Sequence, residues 1–406
     1  MRSKKSGKNF LLRVCRGDVV MIILDNPYVS PLLEDVVVKK SYPVLNNEMV
    51  RSLSKFEMMN VLSDEAAVDL LKMEKNPQLY SNSENAINWI STCLKFSSLP
   101  QKIELFKNKA EFRRLLKSIY PDFYFFESGF ENLSTLDTEK IRFPVVLKPC
   151  VGFLSMGVYI IRNAKEWIEV IKNLRDDIEK FRGQFPPEVV DASSFIVEEL
   201  INGEEFAIDA YFDKDGKPVI LNIFKHPFSG ETDVSDRVYF TSGEIIKSNH
   251  ERFEHLLLKI GDLAELRNFP LHMEVRVDAG KVMPIEINPM RFAGWCVTDL
   301  AYFAYGIDVY EYYFEQKSPD WEKILKDRGG EFYYFTIAEV PVSLDKSEIK
   351  DIDYNAFLKN ISHPLEVRKI DYRRHPIFAI VFAKTDDYSE MSNILKKNMK
   401  DFIITG

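Results

Sequence analysis

The chain of 406 residues has four cysteines, Cys15, Cys93, Cys150 and Cys296, far apart and without Cys-x-x-Cys or Cys/His spacing. That scarcity argues against a disulfide framework or a cysteine-ligated zinc site and makes a reducing compartment the expectation. Long apolar runs are also missing. After the basic start MRSKKSGKNF, the run from Val19 to Leu24 stops at Asp25-Asn26-Pro27, too short for a signal-peptide core. Nothing downstream approaches the roughly 18 apolar residues of a membrane span. No membrane partner is expected, and the expected location is cytoplasmic. Nor is there an excess of positive charge: Lys+Arg 54 against Asp+Glu 62 gives −8 at pH 7. No nucleic-acid partner is expected, because neutralising a phosphate backbone takes surplus Lys and Arg. Any phosphate bound must be held by a local site and not by the overall field.

What is present is core material: 46% hydrophobic and 13% aromatic residues exclude wholesale disorder. The length implies two or three domains, read here as 1–99, 100–330 and 331–406. The first is a short α/β layer with strand-like segments at 18–24 and 35–38 and no glycine-rich first turn. A long helical stretch is expected over 47–74, then a helix within 79–94 capped by Ser81 or Ser83. Further on, an amphipathic helix is expected over 108–119, a buried strand FPVVLK at 143–148, and a helix over 165–181 before the connection QFPPEVVD. FIVEEL, EEFAIDAYFD and KPVILNIF read as successive strands, with a hairpin turn at 213–216 and a second hairpin over 271–288. The last segment alternates strands with a terminal helix at 388–399 and reads as a small α+β domain.

The second hairpin carries most of the chemistry. His272, Glu274 and Arg276 alternate with Met273 and Val275, and Glu286 and Asn288 alternate with Ile285 and Ile287. An odd-numbered loop around Ala279-Gly280 would put Glu274 directly opposite Glu286, with Cβ atoms about 4.5–5.5 Å apart. Two carboxylates that close repel unless a cation lies between them. Together with Asn288 they offer hard oxygen ligands suited to Mg²⁺. For the hairpin alone, a solvated polar face or a Glu–Arg276 ion pair would serve as explanation. A second segment, Lys148-Pro-Cys-Val-Gly152-Phe-Leu-Ser155-Met156-Gly157, delivers a lysine at a strand end to a loop whose amides can converge on phosphate. It is not a Walker A motif, because Val158 follows Gly157. A third, FIVEELINGEEF, offers an apolar hinge before Gly203 and Glu205.

In order along the chain, Asn108-Lys109, the Lys148–Gly157 loop, the hinge with Gly203 and Glu205, and Glu274…Glu286-Ile-Asn288-Pro289 resemble the ATP-grasp superfamily, over about residues 100–315. The fold this implies is α+β / α/β: two α+β lobes clasping ATP, with a short N-terminal α/β domain and a C-terminal α+β domain. The resemblance assigns Lys109 and Lys148 to the ATP phosphates, with the loop of Gly152, Ser155, Met156 and Gly157 closing over them. Glu198, Glu199 and Ile201 would form the adenine hinge and Glu205 would bind the ribose. Glu274, Glu286 and Asn288 would hold two Mg²⁺ ions, with Mn²⁺ as a substitute. Arg237 would contact phosphate, and Arg291 would face the acyl phosphate or a substrate carboxylate. Met290 stands between Pro289 and Arg291, where many relatives run Pro-Arg directly.

The NPMRFAG turn and the C-terminal segment look most like the amino-acid and dipeptide ligase branch, which includes carnosine synthase. The implied reaction is ligation of a small carboxylate to an amine, on amino-acid or peptide substrates, through an acyl phosphate. A homodimer is the default assembly. Two other readings stand beside it. One is a biotin-carboxylase-like carboxylation, although the chain has no Met-Lys-Met biotin-attachment segment. The other is a non-catalytic ATP sensor or scaffold, for which the aromatic run 302–314 would be a partner surface. His272 could touch phosphate or substrate, or be a partly buried histidine that is merely satisfied. Glu84 sits at a helix start, which the helix dipole alone would favour.

Overall fold

The computed structural model describes residues 19–152, 157–181, 191–228, 230, 236–326 and 328–406, with 175–181 and 191–193 described by backbone alone. The N-terminal part is a parallel sheet of β1 (Val20–Ile23), β2 (Pro43–Leu45), β3 (Asn60–Leu62) and β4 (Gln78–Ser81), in the order β3-β2-β1-β4. The valines of 35–38 are not a strand but lie within helix α1 (Pro31–Lys40). Ser30 caps it by accepting from the Leu32 amide, and Pro31 occupies its first turn. Leu33, Val36 and Val37 then recur at helical spacing into the core, so packing overrides the β preference of valine. The stretch 47–74 is also not one helix. Asn47 and Ser63 each cap a new start, dividing it into α2 (Glu48–Ser52), the strand β3 and α3 (Asp64–Leu71). Residues 78–81 enter the sheet as β4, and after a turn capped by Ser83 the helix is confined to α4 (Ile87–Cys93).

Two helices lead into the central part, α5 (Leu99–Lys107) and α6 (Lys109–Leu116), broken at Asn108, whose side chain caps α6. A small lobe follows: β5 (Phe125–Gly129), β6 (Val145–Val151), β7 (Tyr159–Ile161) and β8 (Asp191–Glu199), ordered β5-β8-β6-β7, with α7 (Ala164–Phe181). Its core is its own, formed by Leu133, Val145, Leu147, Ile161, Trp167, Phe195 and Val197. The connection 182–190 lies outside the described residues.

The large lobe is built on β9 (Glu204–Phe212), β10 (Pro218–His226), β11 (Val238–Thr241), β12 (Phe269–Asp278) and β13 (Lys281–Pro289), backed by α8 (Gly243–Ala264). The remaining strands are β14 (Phe332–Glu339), β15 (Ile349–Ile352), β16 (His363–Lys369), β17 (Ile377–Thr385) and β18 (Ile403–Thr405). Three of these extend the central sheet, giving eight strands in the order β13-β12-β9-β10-β11-β14-β17-β16, while β15 pairs with β18. The final helix is shorter than expected, Tyr388–Leu395. One continuous apolar core joins the N-terminal sheet to the eight-stranded sheet, while the small lobe packs around a core of its own. Among the described residues, no helix is long and apolar enough to cross a membrane.

Candidate functional site

The β12–β13 hairpin turns through Ala279 and Gly280, both with positive φ, so Asp278 faces Lys281. A two-residue turn has the wrong parity to oppose the two glutamates. The register is corrected higher up, where it shifts between the Glu274↔Glu286 and Val275↔Pro284 pairs, leaving Ile285 as an extra residue. That bulge, and not an odd-numbered loop, sets Glu274 opposite Glu286 and His272 opposite Asn288.

The paired carboxylates have opposite electrostatics. For Glu286, burial would raise the pKa, but Lys109 foremost, then Lys107 and Lys148, hold it well below the usual carboxylate range. Lys109 Nζ lies 3.0 Å from Glu286 Oε2 and also donates to the Gly152 carbonyl at 3.1 Å. For Glu274, burial and then the Glu286 charge push the carboxyl well above its ordinary value, with Glu205 and Asp236 adding to the effect. Among the described residues its one ion-pair contact is His272, whose Nε2 is 3.7 Å from Oε1. Asn288 completes the group, donating Nδ2 to Glu286 Oε1 at 3.3 Å.

This donor set fits Mg²⁺. Two opposed carboxylates and an amide are hard oxygen ligands, and a divalent cation beside Glu274 would offset the Glu286 charge that, after burial, raises its pKa. Among the described residues no three His, Cys, Asp or Glu side chains converge on one point. The protein would therefore supply part of the coordination, with water and phosphate completing it.

Lys148, on β6, is buried against Glu198 of β8, with Nζ 2.6 Å from Oε1. Burial draws its pKa down, partly offset by Glu198. Glu198 is 2% exposed; burial would raise it, yet Arg113 and Lys148 hold it at about 2. Arg113 of α6 grips both its oxygens, Nε to Oε2 at 2.6 Å and Nη2 to Oε1 at 3.2 Å. The side chain of Glu198, expected at the adenine hinge, is an ion-pair centre between Arg113 and Lys148.

Beyond it, the Glu199 carboxylate turns to the Tyr124 amide at 3.4 Å, and its own amide donates to the Tyr124 carbonyl at 2.9 Å. Gly203 has φ +110°, and a Cβ there would sit 2.3 Å from the Val277 carbonyl oxygen, so the hinge can press on β12 only as glycine. Arg276 draws the next two candidates together, donating to the Ile201 carbonyl at 2.7 Å and to Glu205 Oε2 at 3.0 Å. His226 Nδ1 is 3.2 Å from the other Glu205 oxygen.

Arg291 reaches Glu84 from the turn after β13, its Nη2 donating to Oε1 at 2.8 Å, and Lys107 pairs with the other oxygen. Burial would raise Glu84, but the Lys107 and Arg291 charges hold it at about 2. The inserted Met290 adopts φ 66°, is buried, accepts from the Ser81 amide at 2.8 Å and donates to the Pro270 carbonyl at 2.8 Å. It stitches the turn to β4 and so brings Glu84 to Arg291. His272 Nδ1 is 2.8 Å from Oδ1 of the fully buried Asp209, which also accepts from the Ala293 amide at 2.8 Å.

Arg237 is not brought to this cluster. It donates to Glu339 Oε2 at 2.7 and 3.0 Å and to the carbonyls of Leu395 and Lys397 at 2.9 Å, fastening the C-terminal segment. Ser155 and Met156 lie outside the described residues, although the flanking Gly152 and Gly157 are described. Sequence reasoning passed over Lys107, Arg113, Asp209 and Arg276 as site residues. Two of these left a signal: Arg113 is one helical turn beyond Lys109, and Asp209 is the lone charge inside FAIDAYF.

Residues 141–299 match the family described as ATP-grasp domain. No curated protein matches the chain. Among solved structures, an L-amino acid ligase from Bacillus licheniformis is similar at 17% identity and TM-score 0.64, covering 95% of this chain and 98% of that one. A biotin carboxylase from Campylobacter jejuni is similar at 13% identity and TM-score 0.63, covering 95% and 92%. A phosphoribosylglycinamide synthetase from Anaerococcus prevotii matches at 13% identity and TM-score 0.59, over 95% and 99%. The architecture is the ATP-grasp fold.

Proposed function

We propose that this chain is an ATP- and Mg²⁺-dependent carboxylate–amine ligase acting on amino-acid or peptide substrates. The observation that carries the reading is the opposition of Glu274 and Glu286 across the β12–β13 bulge, with Lys107, Lys109 and Lys148 gathered around Glu286. Making an acyl phosphate concentrates negative charge between nucleotide and acid, and fixed cations in a buried site stabilise it most. In this reading Lys109 and Lys148 orient the transferred phosphate, each held by a glutamate, half-buried Glu286 for Lys109 and buried Glu198 for Lys148. Glu274, Glu286 and Asn288 would hold Mg²⁺, or Mn²⁺ in its place, which would supply charge neutralisation at the phosphates. Arg291, anchored by Glu84, faces the acid, and the hinge around Ile201 with Glu205 receives the nucleoside. The likeness to an amino acid ligase over nearly the whole of both chains supports amino acids as the substrate class.

The test is release of ADP and phosphate from Mg-ATP across a panel of amino acids and small carboxylic acids, singly and in pairs, with bicarbonate included. Release dependent on one acid–amine pair is expected and names the substrates. Release with bicarbonate alone would move the reading to carboxylation, which the similarity to a biotin carboxylase makes the reading to exclude first. ATP binding with no release under any condition would leave a nucleotide sensor, and absence of ATP binding would refute the proposal.

A further inference from the structure

We infer that Arg113, buried behind the phosphate and metal side chains, is a positioning residue that holds the two halves of the site in register. The inference rests on the ligase reading above. Arg113 lies one turn along α6 from Lys109 and is 3% exposed. One edge of its guanidinium grips Glu198, which is the partner of Lys148. The other edge donates to two successive carbonyls, Pro284 at 2.7 Å and Ile285 at 3.2 Å.

Those two residues are the bulge. Ile285 is the extra residue that restores the parity lost at the two-residue turn, and Glu286 follows it directly. β13 ends the strand order, so the bulge carbonyls that point away from β12 have no neighbouring strand to pair with. Arg113 supplies the donors instead. A planar fork that bonds a carboxylate on one side and two carbonyls on the other cannot be copied by an ammonium. The Phe123 ring, 4.7 Å from the guanidinium carbon, fixes the plane of the fork. Arg113 thus ties α6, the small lobe through Glu198, and the edge strand that presents Glu286, without contacting nucleotide or metal itself.

The consequence is a split between ligands. Groups that orient metal-binding side chains typically cost about 10–100-fold in metal affinity when replaced. Binding of Mn²⁺ in the presence of ADP, followed by the paramagnetic signal of the free ion, reads the metal site without turnover. ADP binding without metal reads the nucleotide site. Arg113→Lys and Arg113→Gln are expected to weaken Mn²⁺ by about 10–100-fold and ADP by less. Glu198→Gln keeps the grip on Pro284 and Ile285 but removes the carboxylate beside Lys148. It is expected to weaken ADP while leaving Mn²⁺ close to wild type. Wild-type Mn²⁺ affinity in the Arg113 variants, or equal losses of both ligands, would overturn the inference. Should neither Arg113 variant fold, Glu198→Gln decides: an Mn²⁺ loss as large as its ADP loss overturns it. Failure of the wild-type protein to bind Mn²⁺ with ADP would instead refute the ligase reading on which it stands.

Discussion

Replacing Glu84 by glutamine removes one charge from a buried trio and keeps its volume. Glu84 stands between Lys107 and Arg291, and those cations hold its carboxyl at about 2 against an ordinary 4.5. At neutral pH that depression corresponds to about 3 kcal/mol of stability. A second route gives the same size: removing one partner of a buried ion pair typically costs about 3–5 kcal/mol, because the remaining charge is left desolvated. The folded-state pKa is lowered, so this contribution is present above pH 4.5 and is lost as pH falls toward 2. Glu84→Gln should therefore lower unfolding free energy by about 3 kcal/mol at neutral pH, and the gap from wild type should close on acidification through that window. Urea unfolding of both proteins at a series of pH values measures it, and the difference cancels the other carboxylates. Turnover should fall as well, since Arg291 loses its anchor. A neutral-pH loss below about 1 kcal/mol, or a gap constant with pH, would refute the assignment of Glu84 as the counter-charge.

The other expectations are briefer. Lys148→Ala should weaken ATP binding far more than Cys150→Ala, and equal affinities would count against the phosphate-loop assignment. Glu286→Gln should fold with reduced stability, because Lys109 loses its partner, and should abolish phosphoryl transfer; retained ADP release would exclude the metal site drawn here. Arg237→Ala should lower stability by about 1–3 kcal/mol by stranding Glu339 and the Leu395 and Lys397 carbonyls. Its turnover should stay near wild type, and a stable but inactive variant would return Arg237 to the phosphates.

The order of the central segments was legible because each carries its chemistry locally. A lysine at a strand end before glycines, or two glutamates alternating with apolar residues, keeps its meaning whatever packs around it. The N-terminal layer was less legible for the opposite reason. Residues 35–38 are all β-branched after Asp35, yet Ser30 and Pro31 start a helix whose Leu33, Val36 and Val37 face the core. The 47–74 stretch has helix-forming composition, but Asn47 and Ser63 are stronger local instructions than the average over the window. The three C-terminal strands show the same limit at longer range. Nothing in 331–406 announces that β14 will pair with β11 across almost a hundred residues of sequence, so the segment reads as separate until the sheet is seen whole.

The site itself divides along the same line. Side chains that bear charge at a surface of the cleft could be named from the chain, whereas those that hold them could not, since their partners are distant in sequence. Arg113 and Glu198 are 85 residues apart and Arg113 and Pro284 171 apart. Asp209 meets His272 only because β9 and β12 pair in one register. The opposition of Glu274 and Glu286 joins the two cases. Alternation alone predicted that they share a face, but their facing each other depends on one inserted residue, Ile285, which alternation cannot reveal because the inserted residue is itself apolar. A bulge with no strand on its outer side needs outside donors to persist, and in this fold the guanidinium that provides them is bound to the same glutamate that pairs with Lys148. On the proposed reading, the metal carboxylate depends on Arg113 through the bulge carbonyls and Lys148 depends on it only through Glu198, so a change at the bulge should weaken metal binding more than nucleotide binding.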